Sequence, residues 1–153
     1  MADTTPEKLE QINAEIAASC KIAQRKLSDV TLIAVSKTRS EDEIRPLLNA
    51  GYKVFGENRV QEAEAKWPTL RADFPDAELH LIGQLQSNKA DDAVALFDRI
   101  HSLDRTSLLT ALGKAMREQN KSVPCFLQVN IGAEEQKGGC AIAAVPALLE
   151  AAK

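Results

Sequence analysis

Positive charge is in short supply in this chain. Nineteen Lys and Arg stand against 22 Asp and Glu, a formal net charge of −3, which leaves no electrostatic footprint for nucleic acid or an acidic membrane surface. Long apolar runs are missing too. No stretch approaches the roughly 18 uninterrupted apolar residues of a spanning helix, and the amino terminus sets Glu7, Glu10 and Glu15 among its apolar residues. A cytoplasmic protein with no membrane and no nucleic-acid partner is the expectation. Cys20, Cys125 and Cys140 are odd in number, widely spaced and without a C-x-x-C pair. That excludes a disulfide framework and a zinc site, and leaves three reduced thiols. His80 and His101, the only two histidines, have no metal-binding partner at useful spacing and read as packed imidazoles, so no metal is expected.

What is present is an ordinary globular composition, 44% hydrophobic and 27% charged over 153 residues. One domain, 1–153, is the expected organisation. Thr5, Pro6 and Glu7 read as a helix start, with Thr5 as the capping hydroxyl. Leu9, Ile12, Ile16, Cys20, Ala23 and Leu27 then recur at helical spacing and predict one amphipathic helix outside a sheet, broken at Ser28-Asp29. Thr31 to Thr38 is an apolar, β-branched run that reads as a strand buried on both faces. Ser40 and Glu43 have capping-box spacing before Ile44, Leu47 and Leu48, Pro46 predicts a kink, and Gly51 closes that helix.

The alternation repeats. Strands are expected at 52–58, 79–85, 99–103 and 124–130, each followed by a helical pattern: Val60 to Leu70 closed by Pro68 and Pro75, Ser87 to Phe97, a helix capped by Asp104, and Val145 to Ala152. Strands alternating with helices imply right-handed βαβ crossovers and a parallel sheet. Five units of roughly 25 residues fall short of the ~200 residues or more of a closed eight-stranded barrel. The pattern fits either the first five units of such a barrel or a doubly wound open sheet.

Polar residues at the strand ends are the chemically informative set, because ligands of α/β sheets bind at the carboxyl ends of the strands. They are Lys37, Asn58, Gln84, Gln86, Asp104 and Asn130. Asp104 reads as a helix cap, Asn58 as a cap or a site residue, and Asn130 before Gly132 as a turn former. Gln84 and Gln86 read as satisfying loop backbone groups or as site residues, and Glu41, Asp42 and Glu43 as a solvated helix amino terminus. Lys37 reads evenly as a surface lysine that ends a strand or as a site residue. A lysine anchored to a buried strand is partly desolvated, which lowers its pKa and frees its amine for Schiff-base chemistry with an aldehyde. Pyridoxal phosphate is the cofactor such an amine most often serves.

Four stretches then carry a family resemblance: 34–38 (AVSKT), 55–62 (FGENRVQE), 80–89 (HLIGQLQSNK) and 129–132 (VNIG) with Glu134, Lys137 and Gly139. In this order, across nearly the whole chain, they resemble the pyridoxal phosphate homeostasis proteins, a family similar to the barrel domain of alanine racemase. The resemblance implies a parallel α/β fold, the (β/α) barrel of the alanine racemase N-terminal type, with about five of eight units in this sequence. It implies Lys37 as the internal-aldimine lysine of pyridoxal 5'-phosphate, Asn58 beside the cofactor, and Gly83 and Gln84 in the pocket wall. It implies no catalytic residues of its own, because the family lacks the racemase domain that supplies the opposing base.

The implied role is intracellular pyridoxal phosphate homeostasis, with apo pyridoxal-dependent enzymes as recipients and a monomer or weak homo-oligomer as the working form. Two other readings stand beside it: a racemase-like enzyme, and a non-catalytic interaction module pairing through an exposed sheet edge. Relatives carry a later Ser-x-Gly-Met-Ser segment and Gly-rich turn that hold the phosphate, and these are not in this sequence. A fragment of a longer product, or an impaired family function, is the expectation from that departure.

Overall fold

The computed structural model describes residues 5–153. Five strands, β1 (Ala34–Val35), β2 (Val54–Glu57), β3 (Glu78–Leu81), β4 (Arg99–Leu103) and β5 (Cys125–Leu127), alternate with helices α1 (Thr5–Ile22), α2 (Glu41–Asn49), α3 (Val60–Asp73), α4 (Ala90–Leu96), α5 (Thr106–Glu118) and α6 (Val145–Ala151). The strands form one parallel sheet in the order β1-β2-β3-β4-β5. A doubly wound sheet must reverse its strand order to place helices on both faces. Here the order never reverses, so right-handed crossovers carry α2, α3, α4 and α5 to one side. Each of α1 to α4 packs on the next, α1 on α2 through to α4 on α5. This is the winding of a (β/α) barrel, and it decides between the two architectures the sequence left open.

The core lies between sheet and helices. Phe55, Leu79, Leu81 and Ile100 pack from the strands against Trp67, Leu70, Val94, Phe97, Leu108 and Leu112, all buried. Strand alternation sends the intervening residues Val35, Gly56, His80, His101 and Phe126 to the other face. Val35 and Phe126 are 51% and 52% exposed there. The expectation that the first strand is buried on both faces is therefore corrected: β1 is a two-residue edge strand, covered by helices on one face only.

Local signals held where they were strongest. Ser40 Oγ accepts from the Glu43 N–H while the Glu43 carboxylate accepts from the Ser40 N–H, a complete capping box. Gly51, at φ +87°, ends the segment after α2. Others were overridden. Thr5 lies within the helix and does not cap it, and α1 stops at Ile22, with Leu27 displaced into a separate 3-10 turn and half exposed. Pro68 lies inside α3, which runs on to Asp73. Trp67 and Leu70, both fully buried, anchor the turns around Pro68, and that burial outweighs the lost backbone hydrogen bond. Cys20, Cys125 and Cys140 are free thiols. Burial pushes the Cys125 thiol up to about 11, so it stays protonated at neutral pH. No helix among the described residues is long and apolar enough to cross a membrane.

Candidate functional site

The parallel register brings three of the expected site residues to one end of the sheet. Val35 pairs with Gly56, and Gly56 with His80. Two residues further along the same register stand Lys37 and Asn58, just beyond the carboxyl ends of β1 and β2. Gly83 follows β3 and packs directly on Asn58: a Cβ at residue 83 would lie 2.8 Å from the Asn58 Cα and carbonyl carbon. Only glycine allows that approach between the β2 and β3 loops. Lys37 itself is exposed, in the turn after an edge strand. The expected partial desolvation of its amine is not what the structure shows; solvent access and proximity to neighbouring strand ends are.

The turn that carries Lys37 is tied down from beneath by α3. The Ser36 carbonyl accepts from the Arg39 N–H at 3.1 Å, closing a four-residue turn. Thr38, its third residue, has φ +63°, a left-handed conformation that costs a β-branched residue about 1–3 kcal/mol. Lys66 of α3, 6% exposed, donates from Nζ to the carbonyls of Ser36 (2.9 Å) and Arg39 (3.0 Å). The same ammonium meets Glu57 Oε1 at 2.8 Å and Glu62 Oε1 at 3.1 Å. Glu62 Oε1 also accepts from the Thr38 N–H, and its hydrogen bonds and cationic neighbours hold its carboxyl below the usual range despite partial burial. Glu57, fully buried, accepts from Ser36 Oγ at 2.7 Å and from Trp67 Nε1 at 3.0 Å. Sequence reading missed this cluster. The signal available was the i, i+4 spacing of Glu62 and Lys66 on one helix face.

A cleft of about 420 Å³ opens at Asn58 and Gln84, lined also by Arg59, Val60, Gln61, Leu85, Gln86 and Lys89; Lys37 and Gly83 are not among its lining residues. Asn58 is not a helix cap, because Arg59 occupies that position without a side-chain hydrogen bond. Gln84 does not serve backbone groups either. Its Nε2 donates to Gln128 Oε1 at 2.6 Å, and its side chain lies where a Cβ on Gly138 would stand. Asp104 is likewise not a cap: α5 is preceded by Arg105, and Asp104 Oδ2 accepts from the Gly139 N–H at 3.1 Å, tethering the loop after β5. Asn130 forms the expected turn, with Oδ1 accepting from the Glu134 N–H and Nδ2 donating to the Glu134 carbonyl.

The two histidines pack against each other on the open face of the sheet. His80, 3% exposed, places Nδ1 2.9 Å from His101 Nε2 and Nε2 2.8 Å from Glu78 Oε1. His101 in turn lies against the Phe126 ring, centroids 4.7 Å apart. No metal-binding cluster of His, Cys, Asp or Glu occurs among the described residues. Burial, then the charges of His80 and Arg99, holds His101 below the ordinary imidazole value. The unfolded chain therefore binds more protons than the folded one once pH falls below about 6.5, and stability declines from there down to the lower folded value. Urea midpoints measured from pH 7.5 to 5.5 should fall for the native chain and flatten for His101→Gln. Glu78, held low by its bonds to His80 and Arg99, contributes stability that is lost only in the more acidic carboxylate window, so the two effects separate.

Against known proteins, residues 13–153 match the family model described as alanine racemase, N-terminal domain. The chain is 39% identical over 133 residues to the pyridoxal phosphate homeostasis protein of Aquifex aeolicus, covering 87% of this chain and 58% of that protein. Among solved structures it superposes on PipY of Synechococcus elongatus PCC7942, a structure with PLP bound, at TM-score 0.74 and 43% identity, over 90% of this chain and 62% of that one. An unknown protein of Bifidobacterium adolescentis superposes at TM-score 0.88 with 31% identity, over 96% of this chain and 63% of that one. The chain thus spans about three-fifths of the length of the relatives it matches. With the unreversed parallel sheet, the match over 13–153 means that the chain belongs to the alanine racemase N-terminal domain family, its similar relatives including the pyridoxal phosphate homeostasis proteins.

Proposed function

We propose that this chain is a pyridoxal phosphate-binding, non-catalytic protein of cofactor homeostasis, holding the cofactor as a Schiff base on Lys37. What supports the reading is the position of Lys37, Asn58 and Gly83 just beyond the carboxyl ends of three consecutive parallel strands, with Gly83 packed on Asn58. That is the end at which barrels of this winding build their sites. The likeness to PipY, solved with PLP bound, and to proteins named for pyridoxal phosphate homeostasis supports the same ligand and the non-catalytic role. In this reading residues 1–153 form one pyridoxal phosphate-binding domain, working in the cytoplasm and serving apo pyridoxal-dependent enzymes.

The residues present fit the aldehyde end of the group. Lys37 offers a solvent-accessible primary amine on a turn whose two end carbonyls, Ser36 and Arg39, both accept from Lys66 Nζ. The Asn58 side chain is free of capping duty. Arg59 and Lys89 bring positive charge to the neighbouring cleft, which suits a phosphate-bearing ligand. When bound, pyridoxal phosphate supplies an electrophilic aldehyde carbon on an electron-withdrawing ring. The chain's part is to present the Lys37 amine, to place Asn58 beside it, and to close the wall with Gly83 and the Gln84–Gln128 pair.

The test is a titration of the folded chain with pyridoxal phosphate, read as a protonated-imine band near ~420 nm, followed by borohydride reduction and mass mapping. The band should appear, vanish on reduction, leave a fixed adduct on Lys37, and be absent in Lys37→Ala. A folded native chain that gives no band, or a Lys37→Ala chain that gives the same one, would overturn the proposal. Racemisation of an amino acid that depends on Lys37 would replace the non-catalytic role with an enzymatic one.

A further inference from the structure

We infer that Glu62 and Lys66 are positioning residues for Lys37, acting through the orientation of the Lys37–Thr38 peptide. The inference rests on the reading of Lys37 as the attachment point and adds how its amine is aimed. Three of the four residues of the Ser36–Arg39 turn are bonded to these two side chains: Ser36 and Arg39 through their carbonyls to Lys66 Nζ, and Thr38 through its N–H to Glu62 Oε1. Lys37 alone points free of them.

A left-handed third residue makes this a turn of type II, which differs from type I chiefly by a flip of the central peptide. Glycine is the usual residue at that position because it has no Cβ to clash. Here it is Thr38, at φ +63°, so the local preference of the chain is against the observed turn. The Glu62 carboxylate accepts from the N–H of that same central peptide and so selects the flipped state. Lys66 secures both ends of the turn and holds Glu62 in place at 3.1 Å. Without the Glu62 acceptor the peptide is free to turn over, which rotates Lys37 ψ by roughly 150° and swings its carbonyl and the Thr38 N–H to opposite sides of the turn, so the amine is presented from an interconverting turn instead of a fixed one.

The arrangement is separable from folding. Glu62 retains about a third of its side-chain exposure, at 30%. Lys66 keeps Glu57 and two carbonyls when the Glu62 carboxylate is removed. Glu62→Ala is therefore the informative variant, and Thr38→Gly in the same background is its rescue.

The experiment measures the rate at which pyridoxal phosphate condenses with Lys37 in the full chain. The amine nitrogen bonds the aldehyde carbon, water leaves, and borohydride then delivers hydride to fix the C–N bond for mass mapping. In parallel, hydrogen exchange of the Thr38 amide reports the peptide directly. Glu62→Ala should slow adduct formation at Lys37 about tenfold, as misplacement of a reacting group does, with Thr38 exchange about tenfold faster once its acceptor is gone. Thr38→Gly added to it should restore the rate to within about threefold of the native chain, because glycine adopts the turn unaided.

An unchanged adduct rate in Glu62→Ala overturns the inference, and so does a loss that Thr38→Gly fails to restore, since a merely structural role would not be rescued there. If the native chain forms no adduct at Lys37, the functional reading falls. The positioning inference is then decided by Thr38 exchange alone: protection that is lost in Glu62→Ala sustains the clamp, and exchange that is the same in both chains removes it.

Discussion

Alanine at position 57 should lower the unfolding free energy by about 3–5 kcal/mol, the cost of removing one partner from a buried ion pair. Glu57 has no exposed surface, and three donors converge on its Oε1: Lys66 Nζ at 2.8 Å, Ser36 Oγ at 2.7 Å and Trp67 Nε1 at 3.0 Å. Deleting the carboxylate strands an ammonium, a hydroxyl and an indole N–H in a volume water does not reach. Removing both charges at once, as Glu57→Leu with Lys66→Met, should be milder by the part the stranded ammonium contributes, while the loss of the acceptor for Ser36 Oγ and Trp67 Nε1 and of the donor to the Ser36 and Arg39 carbonyls remains. Urea unfolding checks both variants. Trp67 is the only tryptophan and sits in the cluster, so its fluorescence reports the local environment while circular dichroism reports the whole fold. A double variant as unstable as Glu57→Ala would mean that the unpaired hydroxyl, indole N–H and carbonyls, and not the stranded charge, set the cost.

Gly83→Ala should cost about 3 kcal/mol, the upper part of the overpacking range. Its Cβ would stand 2.8 Å from two backbone atoms of Asn58, and backbone at the end of a paired strand cannot swing aside as a side chain does. The strain falls on the contact between the β2 and β3 loops, so, on the proposed reading of Asn58 and Lys37 as cofactor residues, the same variant should weaken pyridoxal phosphate uptake as well as stability. Gly113→Ala is the matched control. Within α5 its Cβ meets only the flexible end of Arg117, at 3.4 Å, and replacing a helix-interior glycine should add about 0.5–1 kcal/mol. Thermal melts of the two variants should shift in opposite directions.

Much of the architecture was legible along the chain because it depends on near neighbours. The capping box at Ser40 and Glu43, the strand at 99–103 and the helix after it, spaced by Leu108, Leu112 and Met116, each follow from a few adjacent residues. The errors share a cause. Pro68 reads as a helix stop and Asp104 as a cap when only their neighbours are considered. Burial of Trp67 and Leu70 carries α3 past the first, and the Gly139 N–H, 35 residues away, takes up the second. The exposure of Lys37 stayed an even choice for the same reason: the apolar run before it says that a strand forms, and nothing in that run says that the strand lies at the sheet edge.

Alternating strand and helix patterns, the absence of a membrane-spanning run, and the motifs around Lys37, Asn58 and Gly83 were determined by the order of residues alone, since periodicity and turn chemistry act within a few positions. Tertiary structure alone decided the unreversed strand order, the open inner face with His80 against His101, and the union of Glu57, Glu62 and Lys66 beneath the turn of Lys37. Those features join residues up to 30 positions apart. What brings them together is the burial of a shared hydrophobic core, a property of the folded chain that no local window contains.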